Sequence, residues 1–149
     1  IDTNHSNSGK QFKEQIRIAA GKKLSYRQQD VRSGGHAIEC RINAENPKEQ
    51  FRPSPGLITD VYFPGGKGVR IDTAVYNGYE VPAYYDSMLA KLIVHAKTRK
   101  EAISKMRSAL GEVIIEGVDT NVDYQYEIMN HPDYQAGNVD IEFISEKMC

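Results

Sequence analysis

One run of residues constrains this chain more than any other: Gly35 to Glu45, GHAIECRINAE. Taken two at a time, it places His36, Ile38, Cys40, Ile42 and Ala44 on one face and Ala37, Glu39, Arg41, Asn43 and Glu45 on the other. Such alternation defines a strand with one buried side and one side turned to water or a cleft. The polar side holds one arginine between two glutamates, with an asparagine alongside. Two readings of it stand. It is a solvated face laced by cross-strand ion pairs, or it presents Arg41 as a fixed cation for an anionic ligand, oriented by the carboxylates beside it. A guanidinium suits the second task because its planar fork stays protonated and addresses two oxygens at once.

The rest of the chain supplies what such a strand packs against. At 149 residues there is room for one ordinary domain but not for two. Ile1 to Lys10 is polar and aperiodic and reads as a tail without structure or a remnant foreign to the domain, which leaves residues 11–149 as the domain. Gln11 to Leu24 puts Phe12, Ile16, Ala19 and Ala20 on one helical face, with Gly21 as the stop. Ser25-Tyr26-Arg27-Gln28 matches a capping box and predicts a short turn of helix before Val31. Asn46 to Gly56 is a proline-marked loop, and the runs Leu57–Phe63 and Gly68–Val75, separated by Pro64-Gly65-Gly66, read as a hairpin or near-hairpin. Asn77-Gly78 marks a turn, and Met88–Ala96 is apolar enough for a central strand. Thr98 opens a helix with a stripe of Ala102, Ile103, Met106, Ala109, Leu110 and Val113, ended by Gly117. Thr120 to Asp123 opens another, stopped by His131-Pro132, and a weaker signal covers Phe143 to Lys147. The sum is α+β: a small antiparallel sheet of three or four strands with flanking and C-terminal helices.

Charge and composition exclude several partners. A net charge of -1 leaves no footprint for nucleic acid or an anionic membrane. No apolar run approaches the ~20 residues of a spanning helix, and the polar N-terminus has no signal-peptide core. Cys40 on the apolar strand face and Cys149 at the last position fit a reducing compartment, hence the cytoplasm, rather than a disulfide framework.

Several tempting sites fail. The histidines, His5, His36, His95 and His131, share no metal-ligand spacing with each other or with the cysteines, so no metal site is assigned. Pro64-Gly65-Gly66-Lys67-Gly68 precedes a strand rather than a helix and lacks Gly-Lys-Ser/Thr, so it reads as a strand connection and not a phosphate loop. No serine sits in a nucleophile elbow. Two polar clusters remain, Glu39-Arg41-Asn43-Glu45 and Tyr84-Tyr85-Asp86-Ser87. For the tyrosines, the plain reading is that one packs into the core and the other covers it. The other reading is a functional loop at a strand end. By residue chemistry alone, the chain offers an anion-accommodating cleft on a sheet.

In register along the chain, the segment His36 to Glu45, the Pro53-Ser54-Pro55-Gly56 loop, Pro64-Gly65-Gly66, Tyr84-Tyr85-Asp86-Ser87-Met88 and Gly117 to Asn121 resemble the C-terminal domain of biotin carboxylase. That enzyme is the ATP-dependent component of acetyl-CoA carboxylase and its relatives. The resemblance runs from Phe12 to the end. It implies an ATP-dependent ligase part: bicarbonate and ATP give carboxyphosphate, and CO2 passes to N1′ of biotin on a carrier protein, the first step toward fatty acid synthesis. It implies that Arg41 is catalytic, contacting the bicarbonate-derived anion and the biotin ureido oxygen, where a preorganised guanidinium stabilises charge as it develops. It further implies that Tyr85 and Asp86, with Glu39, line the biotin side of the pocket. Ile141 falls near an apolar contact to adenine. Lys67 and Arg70 fall in the homodimer segment, with Lys67 where some relatives carry a bulky apolar residue.

The family's ATP-grasp lobe, with its glycine-rich flap, lysines and metal-binding glutamates, has no counterpart in the sequence. ATP and Mg or Mn therefore belong to the complete enzyme, and this chain alone is expected to be inactive. The implied partners are that ATP-grasp region, the biotin carboxyl carrier protein, a carboxyltransferase and a second copy of the chain. Pyruvate and propionyl-CoA carboxylases contain a similar domain. A non-catalytic module kept for dimerisation or carrier docking is the rival reading, against which Arg41 beside Glu39, and Tyr85-Asp86, weigh.

Overall fold

A computed structural model describes residues 9–148, with side chains from residue 12 onward. Residues 1–8 of the expected tail, and Cys149, lie outside the described residues. Gly9 and Lys10, by contrast, already belong to the first helix. The chain divides into two compact units, one ending at Gly34 and the other starting at Gly35.

The first unit holds α1 (Gly9–Ala19). It ends as its sequence predicts: Gly21 takes φ 70°, Lys22 N–H donates to the Arg17 carbonyl and Gly21 N–H to that of Ile18. This pair of bonds satisfies the last carbonyls of a helix through a left-handed residue. The expected turn after it differs. Ser25 caps no helix; its N–H and Oγ both donate to the Glu14 carboxylate at 2.9 Å, which holds that carboxyl below its usual range. The helical turn is a 3₁₀ turn at Gln28–Asp30, closed by Asp30 accepting from Arg27 N–H. Phe12 and Ile16, placed on one apolar face, are exposed.

The second unit begins with β1 (His36–Asn43), β2 (Glu45–Asn46), β3 (Arg52–Pro53), β4 (Gly56–Leu57) and β5 (Asp60–Tyr62). There follow β6 (Val69–Thr73), β7 (Glu80–Val81), β8 (Met88–Ala96), α2 (Arg99–Glu112) and β9 (Ile114–Glu116). Three helices close it: α3 (Val122–Asn130), α4 (Pro132–Ala136) and α5 (Phe143–Lys147). The main sheet is antiparallel in the order β1-β8-β6, with three two-stranded pairs, β2-β3, β4-β7 and β5-β9, around it. The α+β class with a small antiparallel sheet holds.

The strand pattern carries through to burial. Cys40, Ile42 and Ala44 are buried and Ile38 partly so, while Ala37, Glu39 and Arg41 are exposed; His36, exposed at the strand's start, and Asn43 and Glu45, half-buried at its end, depart from the pattern. The buried side meets Leu92 and Val94 of β8 and Met106, Ala109 and Leu110 of α2, joined by Ile128, Met129 and Phe143. Burying a side chain the size of Leu92 or Met106 contributes about 1.5–3 kcal/mol. Thr98 caps α2 by accepting from Glu101 N–H at 3.2 Å. A second cluster joins Ala44, Ile58, Val81 and Leu89, with Val61 and Ile115 of the β5-β9 pair packed against it.

The expected hairpin does not form. Residues 57–63 and 68–75 do not pair with each other: β5 pairs with β9, and β6 with β8. Pro64 has no N–H for a ladder, and Gly66 and Gly68 take positive φ (135° and 76°), so the connection turns the chain away instead of folding it back in register. The strand β9, between α2 and Gly117, was not expected.

Candidate functional site: the open face of the main sheet

The helices cover one side of the main sheet, and the side chains that alternate outward form the other. Register places Arg41 opposite Lys91 and Lys91 opposite Asp72, so one row across the three strands reads Arg41-Lys91-Asp72. The next row reads Glu39-Ile93-Arg70. Arg70 is locked along its own strand, with Nε to Asp72 Oδ1 at 2.9 Å and Nη2 to Oδ2 at 2.7 Å. That pairing holds the Asp72 carboxyl below its ordinary range.

Arg41 is not held by carboxylates, as its sequence neighbours suggested. Among the described residues none lies within ion-pair distance of its guanidinium; Nη2 instead contacts the Met88 Sδ at 3.3 Å. A thioether is a weak acceptor that leaves the charge uncompensated. With Lys91 directly across the strand pair, Arg41 forms a cationic couple of the kind that costs stability unless something anionic answers it. The guanidinium is exposed rather than desolvated.

Glu45, flanking Arg41 on the other side, works differently. Its Oε1 accepts from Ser87 Oγ and, at 3.3 Å, from Asn43 Nδ2. Ala44 N–H donates to the Ser87 carbonyl at 2.8 Å. The Tyr84–Met88 loop is thereby stitched to the end of β1, and Asp86 Oδ1 accepts Met88 N–H at 2.8 Å to shape the turn into β8. The rings of Tyr84 and Tyr85 touch at a tilt of 53°, centres 5.1 Å apart, and the residues are 82% and 77% exposed. Neither tyrosine packs into the core, contrary to the plainer expectation. Arg41, Glu45, Asp86 and Ser87 thus share one edge of the sheet through Met88.

Other expected site residues lie elsewhere. Lys67 is in the loop before β6, where its carbonyl accepts from Lys105 Nζ at 3.0 Å. Ile141 is in the turn before α5, 95% exposed. Cys40, behind Arg41, is buried, and burial with the neighbouring Glu39 charge pushes its thiol up to about 12. No group of three or more metal-ligating side chains occurs among the described residues, and no helix among them is long and apolar enough to cross a membrane.

One contributor escaped the sequence reading. Asn121, at the start of α3, is 5% exposed and bonds β1 at Arg41 and Asn43. In the sequence it is the end of the Gly117–Asn121 motif and an asparagine before a helical pattern, which points to a cap; yet its side chain makes no cap bond.

An antiparallel sheet with one helix-covered face and an open face bearing an arginine without an ion-pair partner among the described residues defines an α+β domain with a cationic edge. The sequence profile of the biotin carboxylase C-terminal domain matches residues 39–146. The chain belongs to that family. It is 54% identical over 136 residues to a biotin carboxylase of Allochromatium vinosum, covering 91% of this chain and 30% of that protein. A pyruvate carboxylase subunit of Methanothermobacter thermautotrophicus is 50% identical over 134 residues, 90% of this chain and 27% of the relative. The biotin carboxylase domain of the Hydrogenobacter thermophilus 2-oxoglutarate carboxylase, solved as a dimer with MgADP and bicarbonate, superposes with a TM-score of 0.85. It is 48% identical, covering 89% of this chain and 29% of that one. The chain thus spans less than a third of these relatives.

Proposed function

We propose that this domain supplies the biotin-facing wall of a biotin carboxylase, with Arg41 as the cation that receives negative charge. The observation that carries it is the exposed Arg41 guanidinium, free of carboxylates and paired across the strands with Lys91. When a ureido nitrogen loses its proton, charge moves onto the ureido oxygen, and a fixed guanidinium stabilises it there. Arg41 is not the base, since it stays protonated; in this reaction class the released phosphate takes the proton. Tyr85, Asp86 and Glu39 form the biotin side of the pocket in this reading, with Asp86 beside Arg41 through Met88.

ATP and Mg or Mn are bound by the rest of the protein, with Ile141 as an apolar neighbour of the adenine. The carrier-borne biotin, a carboxyltransferase and a second copy through Lys67 and Arg70 are the partners, in the cytoplasm. Acetyl-CoA carboxylase, and so fatty acid synthesis, is the favoured setting, because relatives named simply biotin carboxylase are among the most similar. A pyruvate carboxylase setting is supported by the archaeal relative.

The test is phosphate release from ATP by the full-length protein carrying this domain, in bicarbonate buffer, with and without free biotin. Biotin-stimulated release that needs bicarbonate supports the reading. A folded, ATP-binding protein that biotin does not stimulate overturns it. Residues 1–149 alone should release no phosphate.

A further inference from the structure

We infer that Asn121 is a positioning residue for Arg41, an inference that rests on the role proposed for that arginine. β1 lies at the edge of the sheet order β1-β8-β6, so only one of its sides has a strand partner. The ladder to β8 is also interrupted at its end: Ile42 pairs with Ala90 but Asn43 with Met88, which leaves Leu89 as the extra residue of a bulge. Bulges re-aim side chains and loosen pairing where they occur. Without support, the backbone on either side of Ile42 would be held along one side alone, at the place where Arg41 must be fixed.

Asn121 supplies the missing side. Its Oδ1 accepts from Asn43 N–H at 2.9 Å, its Nδ2 donates to the Arg41 carbonyl at 3.1 Å, and its own backbone N–H donates to the Asn43 carbonyl at 3.2 Å. The N–H of one strand residue and the carbonyl two residues before it point to the same side of a strand. One carboxamide, donor and acceptor together, therefore replaces a peptide group of an absent neighbouring strand. The side chain is buried, so water does not substitute for it. Aspartate in its place keeps the acceptor for Asn43 N–H but sets a second oxygen against the Arg41 carbonyl. Alanine leaves both backbone groups without a partner. In each case the Arg41 Cα is released, and the guanidinium, whose contact at its far end is a thioether, has no strong bond to hold it in place.

The experiment is a double-mutant cycle in the full-length enzyme, measuring biotin-stimulated phosphate release for the parent, Asn121→Ala, Arg41→Ala and the pair. A small misplacement of a catalytic group costs one to two orders of magnitude in rate. Asn121→Ala should therefore lower kcat at least ~10-fold in the parent background but less than ~2-fold when Arg41 is already alanine. An equal loss in both backgrounds would show a merely structural role and overturn the inference. If Arg41→Ala itself has no effect, the reading of Arg41 fails instead, a separate outcome. Should Asn121→Ala not fold, Asn121→Asp, nearly isosteric, takes its place in the cycle, and the same two results support or overturn the inference.

Discussion

Arg41 is the residue whose environment most clearly separates a binding role from a packing role. Its side chain is exposed and makes no ion pair among the described residues, so removing it deletes little that the fold depends on. In the full-length enzyme, Arg41→Ala should cut biotin carboxylation by at least ~10²-fold, the scale for losing one donor to a developing oxyanion. The thermal midpoint should hold within a degree or two, since exposed substitutions stay within about 0.5 kcal/mol. An unchanged rate would remove Arg41 from the chemistry. One position earlier the situation reverses. The Cys40 thiol is buried and raised to about 12, so almost none of it is thiolate near pH 8. A Cys149→Ser variant should give no reaction with an aromatic disulfide reagent until denaturant is added; rapid native labelling would mean that β1 opens. The contrast between these two neighbours was legible in the sequence, because a period of two assigns each to its face. Asn121 was not, since bonds made 78 and 80 residues away along the chain leave no local pattern.

Elements whose partners lie next in sequence, or whose own period is strong, were read correctly; those that depend on distant pairing were not. The central strand β8 stands where its apolar run puts it, and α2 where its cap and stripe put it; α5, more weakly signalled, forms at Phe143–Lys147 without a side-chain cap. The hairpin expected across Pro64-Gly65-Gly66 failed because β5 is claimed by β9, a strand more than fifty residues further on. Gly117, read as a helix stop, in fact serves that pairing. It takes φ 99°, and a Cβ there would press against the Leu57 carbonyl and, at 3.1 Å, the Thr59 nitrogen. Both are backbone atoms of the segment β4–β5 and cannot rotate aside. Gly117→Ala should therefore destabilise by about 2 kcal/mol or more, combining a left-handed backbone with a close contact. Gly111→Ala, in α2 with nothing within 4 Å of the added carbon, should instead stabilise by about 0.5–1 kcal/mol. Chemical denaturation of both variants checks the pair; equal signs would contradict this account of β9.

At the scale of the whole molecule, the question is what meets the open sheet face beyond the Arg41 edge. The relative solved with MgADP and bicarbonate is described as a domain dimer, and Arg70 with Lys67 lies in the segment proposed to meet a second copy. The structure adds a condition. Arg70 is engaged with Asp72 by two short bonds, so a partner would encounter a nearly neutral pair rather than a free cation. Arg70→Glu then does two things together: it sets an unpaired carboxylate beside Asp72 and brings a repulsive charge to the interface. The dissociation constant of self-association should rise at least ~10-fold, equivalent to about 1.4 kcal/mol. Arg70→Ala, which loses the pair without adding repulsion, should weaken association less. The same pair, formed within one chain, sets the sign of a pH dependence of folding. The Asp72 carboxyl is depressed by Arg70, so its contribution is complete above the ordinary aspartate range and is lost only as pH falls through the depressed value. Between about pH 5 and 8 the pair should leave folding, and with it association, flat. Sedimentation of the parent and both variants, in the full-length protein, measures the association. Equal sedimentation for the parent and Arg70→Glu would place the contact between copies on another surface.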